Sequence, residues 1–267
     1  MKHILGTALA AVLLAAPATA GMTYEATTKI GGPQGDQIIR TEGWVDGDNA
    51  KILFRESDNP LYAEGAYLLT SDGGKTLNLV NPEEKTYTPF DLDAMAATAG
   101  AALQGLGGLV KMSITNHSVE KLAEEPGGQL LGRNTTHYRF RVTYDSEIKV
   151  MGMGQQSANE TVTDTWTTTE LGDAGFGAWL RRDPPKTGIA DIDALIASEM
   201  VQRMTGVPLK MVAVTTTTDK KKGEKQTSTM SMEVSSLREQ AVPAATFQLP
   251  AGYEKVEMTL PGLMPPR

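Results

Sequence analysis

Residues 37–56, QIIRTEGWVDGDNAKILFRE, decide the fold class. Residues 37–45 and residues 50–56 are rich in β-branched and aromatic side chains and include apolar–polar alternation, which is typical of strands. The Asp46-Gly47 pair between them predicts a tight hairpin turn, because such turns need a backbone with positive φ. The stretch therefore predicts two antiparallel neighbouring strands.

Further strand candidates continue on both sides of this hairpin, and several of them are joined by tight turns. They are residues 22–30, 65–70, 75–80, 85–89, 109–115, 137–144, 160–170, 208–218 and 226–237. Another hairpin is predicted between residues 119–123 and 129–132, across Pro126-Gly127-Gly128. Successive strands with short turns form an antiparallel meander, and we expect a sheet of about eleven strands.

Two helices are predicted between runs of strands. Asp91 can cap the first, which carries Met95 and Leu103. The second begins near residue 189, and its apolar residues recur with helical spacing. Those residues are Ile192, Leu195, Ile196, Met200 and Met204. This order predicts an α+β fold in which one large, curved antiparallel sheet has helices over its concave face.

The first twenty residues have the features of a secretory signal peptide, namely Lys2, an apolar stretch and the small residues 18–20. We expect cleavage between Ala20 and Gly21, one domain over residues 21–259, and a loose proline-rich tail over residues 260–267. No later stretch is long and apolar enough for a membrane helix, so a soluble mature chain in the periplasm or outside the cell is expected.

Composition excludes several classes of protein. The formal net charge of −7 argues against a nucleic-acid partner. The absence of cysteine excludes disulfides, thiolate nucleophiles, cysteine zinc sites and a lipid anchor on cysteine. His117 and His137 have no metal-ligand spacing, and no G-x-S-x-G motif is present. We therefore predict no enzyme activity, metal or cofactor, although a hydrolase with an unrecognised Ser-His-Asp set remains an alternative.

Several strand and turn motifs resemble those of secreted bacterial proteins of the DUF4412 type. They are GWVDGD at residues 43–48, YLLTSDGGKTL at residues 67–77, LVNPEEKTY at residues 79–87, DTWT at residues 164–167 and VPAATFQLPAGY at residues 242–253. This group is similar to the LolA-, LolB- and RseB-like periplasmic lipoprotein carriers and sensors. The resemblance implies an unclosed β-barrel of about eleven strands with helices over an apolar concave face. Arg55 is the nearest counterpart of an arginine that the carriers use in lipoprotein release.

Taken with the residue patterns, this resemblance predicts a non-enzymatic binding protein for a hydrophobic ligand such as a lipid or the acyl chains of a lipoprotein. The expected lining is Trp44, Leu53, Leu68, Leu79, Met95, Leu103, Ile192, Leu195, Ile196 and Met200. Methionine suits such a cavity because its side chain adapts to varied partners, although plain core packing explains the methionines too. The alternative is a periplasmic protein-interaction or envelope-sensor module whose core is filled by its own side chains.

Overall fold

The fold is described from a computed structural model, which covers residues 21–33, 35–59, 62–105, 109–151, 153–171, 186–200 and 204–257. The predicted leader, residues 106–108 and the predicted tail lie outside these ranges. Within the described ranges, no helix has the length and apolar character needed to span a bilayer.

Twelve strands of the described chain form a single open sheet with two α-helices. The strands are β1 (Met22–Gly31), β2 (Gln37–Asp46), β3 (Asn49–Ser57), β4 (Tyr67–Thr70), β5 (Thr76–Asn81), β6 (Thr86–Asp91), β7 (Val110–Leu130), β8 (Arg133–Val150), β9 (Met153–Thr168), β10 (Val207–Asp219), β11 (Lys225–Glu239) and β12 (Glu254–Lys255). The helices are α1 (Leu92–Gly105) and α2 (Ala190–Met200), and Ala244–Phe247 forms a short 3₁₀ turn.

The strand order across the sheet is β12-β6-β5-β4-β3-β2-β1-β11-β10-β9-β8-β7. Every neighbouring pair is antiparallel except β12 with β6. Because β12 and β7 are the two ends of this order, the sheet does not close into a barrel. The predicted large, unclosed antiparallel sheet is confirmed, with twelve strands where about eleven were expected.

The predicted turn at Pro126-Gly127-Gly128 is wrong, because β7 passes through these residues and continues to Leu130. A bulge between Pro126 and Gly128 absorbs the irregularity, and Gly128 has a φ of 77°. Since β7 is an edge strand, the missing N–H of proline leaves one ladder position without a donor at little cost. The hairpin turn lies instead at Leu131 and Gly132, where both residues have positive φ.

Side chains alternate between the two faces of the sheet, which we call the inner and outer faces. The inner face carries Tyr24, Ile52 and Val234, as their registers across β3, β2, β1 and β11 show. Trp44 and Trp166 project from the outer face. The best-buried inner-face cluster lies at one end of β1 and its neighbours and includes Met22, Ala26, Val45, Ala50, Val207 and Leu209.

Both predicted helices are present. Asp91 caps α1, since its Oδ1 accepts the N–H groups of Asp93 at 3.0 Å and Ala94 at 2.9 Å. Leu195 of α2 packs in a buried cluster with Ile114 and Val142, so α2 covers the inner face over β7 and β8. The two helical regions approach each other at Gly100, where a Cβ would overlap the carbonyl oxygen of Thr187.

Candidate ligand cavity

A cavity of about 340 Å³ lies on the inner face of the sheet. Its lining consists of Tyr24, Thr28, Ile39, Thr41, Ile52, Phe54, Tyr62, Leu68, Thr165, Met204, Pro208, Met211, Met232 and Val234. More than half of these side chains keep part of their surface exposed, so solvent reaches the space that they enclose.

The lining residues show that the sheet is curved. Apart from Tyr62 and Met204, which lie outside the strands, they come from β4, β3, β2, β1, β11, β10 and β9, which are seven consecutive strands of the sheet. With neighbouring strands about 4.8 Å apart, a flat sheet would spread these strands over about 29 Å. Side chains of all seven can line one cavity of about 340 Å³ only if the sheet curls around it. The apolar concave face therefore follows from the register of the strands.

Apolar and aromatic groups dominate the lining. Met211 and Met232 are paired neighbours on β10 and β11, and Met204, which precedes β10, also lines the cavity. The rings of Phe54 and Tyr62 stack with their centroids 4.8 Å apart. A wall of this kind binds apolar groups without directional hydrogen bonds, and the methionines can adjust to ligands of different shape.

Thr165 is the unusual polar residue of the lining. It is fully buried, with 0% relative exposure, and its Oγ1 has no hydrogen-bond partner among the described residues. A buried hydroxyl without a partner costs about 1–3 kcal/mol. Thr167, two residues along the same face of β9, instead donates its Oγ1 hydrogen to the carbonyl oxygen of Thr205 at 2.6 Å.

The position of Tyr24 in the lining depends on a glycine. A Cβ on Gly43 would overlap the Tyr24 ring, so the ring lies directly over the Gly43 backbone. Gly43 is the cross-strand neighbour of Tyr24. Any larger residue at position 43 would force the ring to move toward the cavity.

The lining residues that were predicted on the sheet lie on two different faces of it. Leu68 lines the cavity, and Leu79 packs beside it on the cluster of Ile39, Phe54 and Ala66. Trp44 and Leu53 lie on the opposite, outer face, because each is one residue away from an inner-face residue and side chains alternate along a strand.

Trp44 and Leu53 belong to an outer-face cluster that includes Tyr67, Val80 and Phe247. The Lys51 ammonium is 4.2 Å from the centroid of the Tyr67 ring and 5.6 Å from that of Trp44. Burial lowers the pKa of Lys51, and the charge of Glu42 partly offsets this effect. Because Phe247 lies in the 3₁₀ turn after β11, this turn covers part of the outer-face cluster.

The predicted helical residues lie elsewhere on the molecule. Leu195 is buried and Ile192 half-buried against the Ile114 and Val142 cluster, and Ile196 is half-buried. Met95 on α1 is exposed. Leu103 and Met200 belong to α1 and α2, but their side chains lie outside the described part of the structure.

Arg55 projects from the outer face of β3. Its Nε donates to Glu42 Oε2 at 2.8 Å, in an ion pair whose arginine side chain is 58% exposed. Neighbouring Phe54 faces the cavity, so Arg55 points away from it. The structure thus places Arg55 in a surface ion pair on β2 and β3.

His137 lies in a polar cluster on the outer face. Its ring stacks on Trp166 with centroids 4.6 Å apart, and its nitrogens are 2.7 Å from Asp164 Oδ1 and 3.2 Å from Glu125 Oε1. The Lys210 ammonium is 5.1 Å from the centroid of the Trp166 ring. Both partners of the imidazole are carboxylates, whereas a hydrolytic triad needs a hydroxyl on one side of the histidine.

Over the described ranges, no group of three or more potential metal-ligating side chains occurs.

Several lining residues were missed by the sequence interpretation, including Tyr24, Thr28, Met211 and Met232. The strands that carry them were predicted, and alternation along residues 22–30 places Tyr24 and Thr28 on one face. The face that turns inward depends on the pairing of β1 with β11, which are about two hundred residues apart in sequence. A single sequence contains no direct signal for that pairing.

Comparison with known proteins identifies one family and several distant structures. The profile of the domain of unknown function DUF4412 matches residues 55–253. No curated protein matches the sequence. The solved structures include PNGF-II, at 14% identity with a TM-score of 0.31. The match covers 89% of this chain, which spans 31% of the PNGF-II chain.

Two further structures match over most of both chains. One is a domain assigned to an outer membrane lipoprotein-sorting protein from Vibrio parahaemolyticus, with 10% identity, a TM-score of 0.32, and coverage of 86% of this chain and 90% of that one. The other is a DUF1329 family protein from Desulfovibrio piger ATCC 29098, with 11% identity, a TM-score of 0.34, and coverage of 87% and 91%.

Proposed function

The chain belongs to the DUF4412 family, and we propose that it is a non-enzymatic periplasmic protein that binds one hydrophobic ligand, of the acyl-chain class, on its concave face. The cavity of about 340 Å³ between the methionines of β10 and β11 and the aromatic residues of β3 and its following loop carries this proposal. Its volume lies near the lower end of the range for small-molecule sites, about 300–1,000 Å³, which suits a single chain.

The lining sets an expected affinity. Each buried methylene contributes about 0.8 kcal/mol, so ten of them contribute about 8 kcal/mol. Ordering a flexible chain and losing its free motion oppose this gain. We therefore expect dissociation constants in the micromolar range or weaker for a fatty acid of ten to twelve carbons, and tighter binding with each added methylene until the cavity is full.

The test is a titration of the delipidated chain with a fluorescent dansyl-labelled fatty acid. Thr28→Trp puts a large side chain into the cavity from β1, because Thr28 is a lining residue. The matched control is Thr27→Trp, since the neighbouring residue of the same strand projects from the outer face. We expect saturable uptake by the unmodified chain and the control, and at least about a tenfold weaker dissociation constant in Thr28→Trp.

Two results would contradict the proposal. One is no saturable uptake by the correctly folded unmodified chain, and the other is equal uptake by Thr28→Trp and the control. Either result would favour the alternative, a periplasmic protein-interaction or sensor module whose concave face is closed by its own side chains. Cross-linking in cells would then be the next experiment.

A further inference from the structure

Exposed apolar side chains are concentrated at one end of the sheet. We call this end the distal tip and define it as residues 109–113, 145–151, 153–157 and 219–225. Its most exposed large side chains are Met151 and Met153, at 74% and 78% relative exposure. Leu109, Met112, Ile148 and Val150 are also exposed, at 37–56%.

Hydrogen bonds join the segments of the distal tip into one surface. The N–H of Met151 donates to the carbonyl oxygen of Leu109 at 2.7 Å, and the N–H of Lys220 donates to that of Gln156 at 2.9 Å. Lys221 Nζ donates to the carbonyl oxygen of Gly154 at 2.6 Å. The ends of β7, β8, β9 and β10 therefore present their side chains together.

The apolar residues of the distal tip form rows across the strands. Val150 pairs with Val110 on one side and with Met153 on the other, and Ile148 pairs with Met112 in the next row. These rows extend the inner-face apolar surface of β7 and β8 beyond the part that α2 covers. A continuous exposed apolar surface of this kind marks an interaction site.

The charge of the distal tip is opposite to that of the whole chain. It contains six lysines, Lys111, Lys149, Lys220, Lys221, Lys222 and Lys225, against four carboxylates, Asp145, Glu147, Asp219 and Glu224, whereas the whole chain has a net charge of −7. Ion pairs within the tip, such as Lys220 with Asp145 at 2.7 Å, leave an excess of positive charge. Lysines around an apolar centre complement an anionic surface.

The hairpin geometry does not account for a methionine at position 151. Its φ is 51°, a left-handed conformation that asparagine and glycine adopt with less strain, and glycine follows it in the sequence. Asn-Gly is the preferred pair for such a turn. Methionine here costs backbone strain and exposes apolar surface.

We propose that the distal tip docks on a bilayer of anionic phospholipid, with the side chains of Met151 and Met153 in the interfacial region and the lysines beside the headgroup phosphates. Flexible, unbranched methionine side chains can enter disordered lipid without a fixed pocket. The lysines supply the attraction to anionic headgroups, each contributing modestly and in a manner that salt weakens. This proposal depends on the tip alone, and it holds whether or not the concave cavity binds a ligand.

The test is co-sedimentation of the mature chain with vesicles of phosphatidylglycerol and phosphatidylethanolamine, beside vesicles of phosphatidylcholine. The test variant combines Met151→Asn with Met153→Thr, which keeps a favourable turn and strand while removing the apolar side chains. The matched control is Leu131→Asn, because Leu131 also has positive φ, at 52°, precedes a glycine and is 43% exposed at the opposite end of β8.

We expect the unmodified chain and Leu131→Asn to bind the anionic vesicles, more weakly as salt rises, and the double variant to bind at least about tenfold more weakly. Thr28→Trp is expected to bind vesicles like the unmodified chain, which separates this outcome from that of the ligand titration. Equal binding by the double variant and the control, or no preference for anionic vesicles, would overturn the proposal. A third outcome would also overturn it, in favour of a protein partner. In that outcome the unmodified chain does not bind vesicles, and a protein that cross-links to the unmodified chain does not cross-link to the double variant.

Discussion

At the level of single residues, neighbouring side chains of one strand face opposite sides of the sheet. Ile52 and Phe54 line the cavity, whereas Leu53 between them contributes to an apolar cluster on the outer face. A shift of one residue in the register of β3 would exchange these two roles. The residues that line the cavity are therefore set by the alternation of side chains along each strand, and hydrophobicity alone does not determine them.

Thr165 offers a test of the cost of its unpartnered hydroxyl. Thr165→Val should raise the free energy of unfolding by about 1 kcal/mol, because the buried Oγ1 has no hydrogen-bond partner among the described residues. Thr167→Val, on the same face, should lower it by about 1 kcal/mol by removing the bond to Thr205. Urea unfolding of both variants is the measurement, and a lower stability of Thr165→Val would show that its hydroxyl has a partner in solution.

Gly43 should tolerate no side chain while Tyr24 lies over it. We expect Gly43→Ala to lower the free energy of unfolding by about 1–3 kcal/mol, because the new Cβ would overlap the Tyr24 ring. Combining it with Tyr24→Leu should cost less than the sum of the two single changes, since the smaller side chain leaves room for the methyl group. Strict additivity of the two changes in thermal or urea unfolding would contradict this contact.

Asp72 should make the β4–β5 turn sensitive to acid. Burial opposes ionisation of its carboxyl group. However, the Thr76 N–H and the Thr70 hydroxyl donate to it, and together with further hydrogen bonds they lower its pKa. A lowered pKa in the folded state gives stability that is present above the unfolded pKa of 3.8 and is lost as pH falls through the folded value.

We therefore expect Asp72→Asn to cost about 1 kcal/mol at neutral pH, because the turn is open to solvent, which weakens the charged hydrogen bonds. The difference in free energy of unfolding between Asp72→Asn and the unmodified chain should shrink as pH falls below about 4. Denaturant unfolding at several pH values measures it. A difference that stays constant down to pH 2 would contradict this assignment.

At the scale of elements, the sequence predicted the tight hairpins and the helix cap but not the long edge strand. Asp46-Gly47 and Asp91 carry their signals locally, in the φ requirement of a turn and in a side chain that can accept helix N–H groups. Pro126-Gly127-Gly128 carries an equally strong turn signal, which is overruled because the pairing of β7 with β8 continues on both sides of a bulge. Tertiary pairing of this kind lies beyond a local pattern.

The cap of α1 gives a prediction for one element. Asp91→Ala should lower local helix stability by about 1 kcal/mol, because two N–H groups of the first turn lose their acceptor. Hydrogen exchange in Leu92–Gly105 should become faster, whereas exchange in β1 and β2 should be almost unchanged. Asp91→Ser should restore most of the protection. Equal acceleration in α1 and in the central strands would mean that α1 does not open independently.

For the whole molecule, local patterns led to the fold class, but the side chains that face inward depend on pairing between strands that are distant in sequence. β1 pairs with β11 across nearly the full length of the chain, and this contact brings Tyr24 and Thr28 beside Met232 and Val234. The predicted lining was chosen by hydrophobicity, which identifies apolar clusters of both faces alike. The position of the cavity therefore required the register of the complete sheet.

The most direct test of a ligand on the concave face uses methyl NMR spectra of the chain labelled at its methionine methyl groups. Met211 and Met232 line the cavity, Met22 is buried in the neighbouring core, and Met151 and Met153 are at the distal tip. On addition of a twelve-carbon fatty acid below its micelle concentration, we expect saturable shifts of the Met211 and Met232 resonances, and no such shifts in Thr28→Trp. Shifts confined to Met151 and Met153, or no shifts at all, would contradict a ligand site on the concave face.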